Sequence, residues 1–327
     1  MNEKEEEHPG RAAGPERHPI RIGTSGYSFL DWVGPFYPPG IERGKMLDFY
    51  AREFQTVEVN ATYYRIPPPA TLRAMERKTP PEFEFIVKAH HDMTHLRSLD
   101  PDLYQAFARS VEPLLEAGKL QGLIAQFPYS FQRTPEHERF LAELHERLPE
   151  VPLFVEFRHR SWAEESVWDR LDEEGIGYVS VDEPDLPGLL PPVARVTGPA
   201  RIGYVRLHGR NKENWWRNPE RGRPDRGRGS GVQAGEGRRA AEPVTAAEYG
   251  PLFAAAAPPP APGPSGTSSD RYDYLYSEAE LQEWVGKIHE MTLKAKKTFV
   301  FFNNCHVGQA ATGAKLMRRL LEGEGLL

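Results

Sequence analysis

The sequence predicts a closed (β/α)8 barrel, and three observations carry the prediction. Short β-branched or aromatic runs alternate with amphipathic segments about eight times. The 327 residues suffice for one such barrel of roughly 250 residues with room for additions. No GxGxxG motif follows the first apolar run, which weakens the competing reading, an open doubly wound sheet.

Each element has its own signal. Strand one, 20–24, reads "IRIGT", and a helix over 45–54 follows. Strand two, 56–60, is "TVEVN", followed by a short helix near 70–78. After strand three, 83–88, a helix over 101–117 puts Leu103, Phe107, Val111 and Leu114 on one stripe and stops at Gly118. After strand four, 120–127, Thr134 and Pro135 supply the cap and first turn of a helix over 134–148. After strand five, 153–157, "SWAE" reads as a capping box opening a helix over 161–174. Strand six, 177–182, is followed by "EPDLPGLLPPVARVTGPA", whose prolines forbid a regular helix. After strand seven, 202–208, "SEAE" opens a helix over 277–294 with a second box. Strand eight, 298–303, leads into a closing helix over 307–321.

Two tracts fall outside this alternation. Residues 1–19 are acidic, then rich in Pro and Gly, and are expected to be a disordered tail. Residues from about 212 to 270 form a low-complexity insertion that interrupts the single barrel domain of 20–327. Over 211–269 eight Lys and Arg stand against six acids, so its basic half could contact nucleic acid, although a solvated linker is the simpler reading. The net charge of −6 and pI near 6.0 argue against nucleic acid as the main partner. The single cysteine excludes an internal disulfide and a multi-cysteine metal site. No apolar run is long enough to span a membrane and the N-terminus has no apolar core of a signal peptide, so a soluble cytoplasmic protein is expected.

The C-terminal ends of the strands are polar, and in a barrel those ends converge on one mouth. They carry Ser25 and Tyr27 after strand one, Glu58, Asn60 and Tyr64 at strand two, and Lys88 and His90 at strand three. Gln126 ends strand four, Glu156 and Arg158 end strand five, and Asp182 ends strand six. Arg206 and His208 end strand seven, and Asn303, Asn304 and Gly308 follow strand eight. For any single residue, helix capping or solvation is the simpler explanation. The set is harder to dismiss, because Glu58 and Asn60, Lys88 and His90, Glu156 and Arg158, and Arg206 and His208 share a side of their strands. Charged pairs aimed into a barrel are costly unless paired or functional.

Lys88, Arg158 and Arg206 therefore suggest a small anionic ligand, phosphorylated or carboxylated, with the turn from Asn303 to Gly308 offering helix amides to a phosphate. An internal salt-bridge network is the competing explanation. Glu58, Glu156 and Lys88 are the acid/base candidates. No cofactor is expected and no metal ligands are assigned. A divalent-metal isomerase or phosphodiesterase, using Glu58, Glu156, Asp182 and His208, is the alternative, although the ligands lack a compact spacing. His91 and His95, in "KAHHDMTH", read as hydrogen-bonding residues. Loop aromatics such as Tyr63, Trp215, Trp216 and Tyr272 could stack a sugar or a base. Cys305 beside His306 is a poor nucleophile and base pair, because neighbouring residues point apart.

The segments "IGTSGYSFLDWVGPFYP", "LDFYAREFQTVEVNATYYRIP", "FIVKAHHDMTH", "LIAQFPYSF", "FVEFRHRSW", "YVRLHGRN", "YDYLYS" and "FVFFNNCHVGQAATGAK" occur in order from Ile20 to the C-terminus. Together they resemble the YecE-like family, the domain of unknown function seventy-two, whose members are TIM barrels. The resemblance covers the chain except its tail and insertion. It implies a barrel with a polar pocket at the C-terminal face and brings no reaction with it. The loop after "HGRN" is longer than the family needs, and Gly313 stands where the family pattern would have Asn. The function expected is that of an uncharacterised YecE-like barrel binding or acting on a small anionic, sugar-like ligand. Its oligomeric state is left open.

Overall fold

Parallel strands joined through helices put each strand's C-terminal end on one side of the sheet, and that geometry organises the molecule. The computed structural model describes residues 18–216 and 270–327. Most of the expected tail and insertion, residues 1–17 and 217–269, lies outside them. Eight strands are observed: β1 (Ile20–Thr24), β2 (Thr56–Val59), β3 (Glu84–Lys88), β4 (Leu120–Gln126), β5 (Leu153–Glu156), β6 (Gly177–Asp182), β7 (Ile202–Leu207) and β8 (Lys297–Phe302). They form one parallel sheet in sequence order from β2 to β8, with β8 returning to β1. The β1–β2 seam is held by a bridge between Ser25 and Glu58 and by the Gly26 amide on the Glu58 carbonyl at 2.8 Å. At the seam the backbones nearly touch: a Cβ on Gly23 would lie 2.3 Å from the Thr56 carbonyl oxygen, so only glycine fits.

The helices are α1 (Met46–Glu53), α2 (Ala61–Tyr64), α3 (Pro69–Arg77), α4 (His91–Thr94), α5 (Pro101–Glu116), α6 (Pro135–Arg147), α7 (Glu165–Glu173), α8 (Glu278–Thr292) and α9 (Gln309–Gly323). The Ser277 box forms as the sequence predicts, with Glu280 reaching back to the Ser277 amide. Thr134 caps α6 through the His137 amide. The "SWAE" box does not form. Ser161 sits in a 3-10 turn, where its hydroxyl accepts from the Arg133 amide at 2.8 Å, and Glu164 pairs with Arg133. α7 therefore starts four residues later than expected, with no side-chain cap. No helix covers β6. An extended segment replaces it, tied down by the Arg195 amide on Ser180 and by Thr197 on Tyr178 and Ile176.

Gly313 in α9 also has a packing reason. A Cβ there would meet the Phe302 ring of β8 at 2.6 Å, so the position seats the helix on the barrel. Among the described residues no helix is long and apolar enough to cross a membrane.

The barrel interior is layered. At the N-terminal end Glu84 accepts from Arg21 at 3.1 Å and from Lys297, which also reaches Gln121. Above them Phe154, Tyr204, Phe299 and Phe301 pack ring on ring, with centroids 4.9–6.2 Å apart. This aromatic plug is the floor of the mouth.

Candidate active site at the barrel mouth

Charged side chains from the last turns of four strands meet above the aromatic floor. The Arg206 guanidinium, on β7, donates to Glu58 of β2 at 2.6 Å and to Glu156 of β5. The second oxygen of Glu58 accepts from the Tyr204 hydroxyl at 2.6 Å. Arg158 pairs with the other Glu156 oxygen at 2.7 Å and with Glu183 at 3.0 Å. The first of those contacts is an ion pair without hydrogen-bond alignment, since that Glu156 oxygen has no hydrogen-bond partner. Glu58, Arg206, Glu156, Arg158 and Glu183 thus form an alternating chain of three acids and two guanidinium groups. Ser25 joins it through Arg206 at 3.3 Å, and the chain is buried. Low dielectric makes such pairing strong and makes any unpaired member costly.

His208 stands beside the chain, its Nε2 3.2 Å from Glu156 and its Nδ1 3.0 Å from the Asn303 amide nitrogen. Asn303 can only donate there, which assigns Nδ1 as acceptor and places the ring proton on Nε2. Burial, with the Arg158 charge, pushes the His208 pKa down to about 3, in keeping with a neutral ring. Burial alone would raise the Glu156 carboxyl, but Arg158, Arg206 and His208 outweigh it and hold it well below the usual carboxylate range.

Lys88, on β3, is different. Its Nζ donates to Gln126 at 3.0 Å and lies 4.4 Å from the centre of the Tyr63 ring. Among the described residues no carboxylate lies within ion-pair distance of it. Burial and the repulsion of Arg206 lower its pKa to about 7, against the pull of Glu156 and Glu58. Tyr63 in turn meets His95 Nε2 at 3.2 Å, and the His91 and His95 rings stack at 4.9 Å. Over the other side stand Tyr272, 6.2 Å from His208 ring to ring, and Trp215, which packs on Arg158 and Tyr272.

The expected site residues divide cleanly. Glu58, Glu156, Lys88, Ser25, Gln126, Arg158, Arg206, His208 and Asn303 come together. Asn60 follows β2 at the start of α2 with its buried Oδ1 unpartnered, and His90 caps α4 through the Asp92 amide. Tyr64 lies at the rim, packed edge-on against Tyr63 and 44% exposed. Four residues do not join. Asp182 faces outward, where Tyr276 (2.7 Å), Trp284 (2.6 Å) and Arg210 (2.7 Å) saturate its carboxylate. Tyr27 packs on Tyr50 of α1. Asn304 turns away from Asn303 and donates to the Tyr274 carbonyl at 2.7 Å. Gly308 takes a left-handed φ of 76° against Pro35. The amide of Val307, expected to greet a phosphate, is held by the Asp31 carboxylate at 2.7 Å. Burial keeps the Cys305 thiol well above its ordinary pKa and so unreactive.

Glu183 is the member the sequence did not single out. It lies one residue past β6, on the side opposite Asp182. Its signal was parity with Val179 and Val181. Burial raises its pKa to about 7, opposed by Arg158 and the Leu190 amide. The folded state thus favours the neutral acid. Its stabilising contribution is complete below pH 4.5 and is lost as pH rises through about 7. Glu183→Gln should therefore gain melting temperature relative to the wild type as pH rises from 4.5 to 7.5. A difference that stays flat across that range would contradict the assignment.

An eight-stranded parallel α/β barrel with its charged side chains gathered at one mouth is the class of protein these observations define. The chain belongs to the DUF72 family: the family profile described as "Protein of unknown function DUF72" matches residues 21–326. The YecE-like resemblance read from the sequence is thereby upheld. The chain is 30% identical over 316 residues to the UPF0759 protein YunF of Bacillus subtilis (strain 168), covering 93% of this chain and 95% of that protein. A DUF72 family protein of Thermotoga maritima MSB8 is 34% identical, with a TM-score of 0.73, covering 93% of this chain and all of that one. A DUF72 family protein of Enterococcus faecalis V583, 23% identical, shares the fold with a TM-score of 0.70 over 93% of this chain and 95% of that one.

Proposed function

We propose that the barrel mouth binds and acts on a small anionic molecule, phosphorylated or carboxylated and sugar-like in its hydroxyls. The observation that carries this is Lys88, a cation facing the mouth without a carboxylate partner among the described residues. Arg206 is the foundation of the site rather than a ligand clamp, because two buried carboxylates consume its charge. Arg158 is likewise committed, held between the buried carboxylates of Glu156 and Glu183, so Lys88 is the ligand-facing cation of the group. Tyr63, Tyr272 and Trp215 offer ring faces to a carbon skeleton and hydroxyl edges.

The acid/base role moves with the geometry. Glu58 has both oxygens occupied, and Glu156 is held far too acidic to take a proton near neutrality. Glu183 also has both oxygens occupied, by Arg158 and the Leu190 amide, which leaves Lys88, near 7, as the group suited to proton transfer at that pH. The divalent-metal alternative fits less well. Asp182 points away, and the Arg206 guanidinium lies between Glu58 and Glu156, supplying the positive charge a metal would bring. Among the described residues no group of three or more His, Cys, Asp and Glu is arranged to hold a metal ion.

Calorimetric titration with inorganic phosphate tests the reading. Lys88→Met is expected to weaken phosphate binding by at least about tenfold, the loss of one charge-assisted contact of about 1.5–3 kcal/mol. Equal affinity in the two proteins would remove Lys88 from the site.

A further inference from the structure

The other lysines of the described interior are tied to acids. Lys119 reaches Glu76 at 3.3 Å and three acceptors around Thr79, and Lys297 is held by Glu84. Lys88 has instead one neutral acceptor, Gln126, and an aromatic face, Tyr63. An amine fixed in place, only partly buried and without a counter-ion among the described residues is built as a nucleophile as much as a charge.

We infer that Lys88 forms an imine with the carbonyl carbon of a small anionic aldehyde or ketone, a step that rests on the small-anion reading above. The amine lone pair attacks the carbonyl carbon and a C–N bond forms. The C–O π pair moves to oxygen, which takes up a proton while the now cationic nitrogen gives one up, giving the neutral carbinolamine. The nitrogen then loses its remaining proton as the hydroxyl leaves as water, and the C=N bond closes. One water is released, and no oxidant or reductant is needed.

The surroundings serve each stage. Burial and the Arg206 charge hold Lys88 near 7, so about half of it carries a free lone pair at neutral pH. Gln126 accepts an N–H and orients the nitrogen. The proton that the departing hydroxyl takes is balanced by the second one the nitrogen gives up, so the step needs no other acid of fixed position. The amine lies over the Tyr63 ring, whose hydroxyl meets neutral His95 at 3.2 Å.

The test is reductive trapping. The purified full-length protein is incubated with pyruvate or dihydroxyacetone phosphate, treated with sodium borohydride and digested for peptide mass analysis. The expected result is one reduced adduct per chain on the peptide containing Lys88. It should vanish in Lys88→Met and in Lys88→Arg, which keeps the charge, with both variants verified as folded by thermal melts. Adducts spread over surface lysines, or no adduct with either probe while phosphate still binds the wild type, would overturn the imine and leave the anion site standing. Absence of both adduct and phosphate binding would overturn the two together.

Discussion

Replacing Arg206 with Met is expected to destabilise the barrel by about 3–5 kcal/mol, the cost of leaving buried charges uncompensated. Arg206 is 1% exposed and bridges Glu58 and Glu156, both fully buried. Methionine fills much of the volume but leaves two carboxylates facing each other over the aromatic floor. For a barrel of this size the melting temperature should fall by on the order of 10 °C. Urea denaturation should show the same loss at neutral pH and a smaller one at low pH, where the freed carboxyls take up protons. Adding Glu58→Gln to Arg206→Met should recover part of the stability. A loss below about 1 kcal/mol would mean that the guanidinium is not the keystone of the chain.

Asp182→Ala is expected to have the second-largest effect, about 3 kcal/mol or more. Its carboxylate is the shared acceptor for Tyr276, Trp284 and Arg210, three donors from the chain flanking 217–269 and from α8. Each buried donor left without a partner costs about 1–3 kcal/mol. The loss should be local as well as global. Hydrogen exchange should accelerate over 208–216 and 272–277, the segments that bring Trp215 and Tyr272 over the mouth, before it does in β3 or β4. Asp182→Asn, which keeps one acceptor, should fall between. Unchanged exchange in those segments would show that other contacts hold them.

The barrel was legible because its signals are local. Alternation, a Thr–Pro helix start and the "SEAE" box each depend on a few adjacent residues, and the observed elements agree with them within a residue or two at most ends. The helix start expected from "SWAE" moved to Glu165 because Arg133, distant in sequence, engages both Ser161 and Glu164. The mouth was partly legible. Strand-end polarity located Glu58, Glu156, Arg158 and Arg206 but could not separate Asp182 from Glu183. β6 is buried on both faces, so its pattern does not tell inside from outside, and the more prominent acid was the outward one. The same ambiguity hid the different duties of Asn303 and Asn304. The occupation of the Val307 amide by Asp31 joins residues from opposite ends of the chain.

The account stands or falls on whether the Lys88 mouth takes a small anion. The direct measurement is a thermal-shift screen of phosphorylated sugars, sugar acids and 2-oxo acids against the wild type and Lys88→Met. The account predicts that at least one such compound raises the wild-type melting temperature, while its neutral, dephosphorylated or esterified counterpart does not. It also predicts that the shift is lost in Lys88→Met. Stabilisation of equal size in the variant, or by the neutral counterpart, would contradict it.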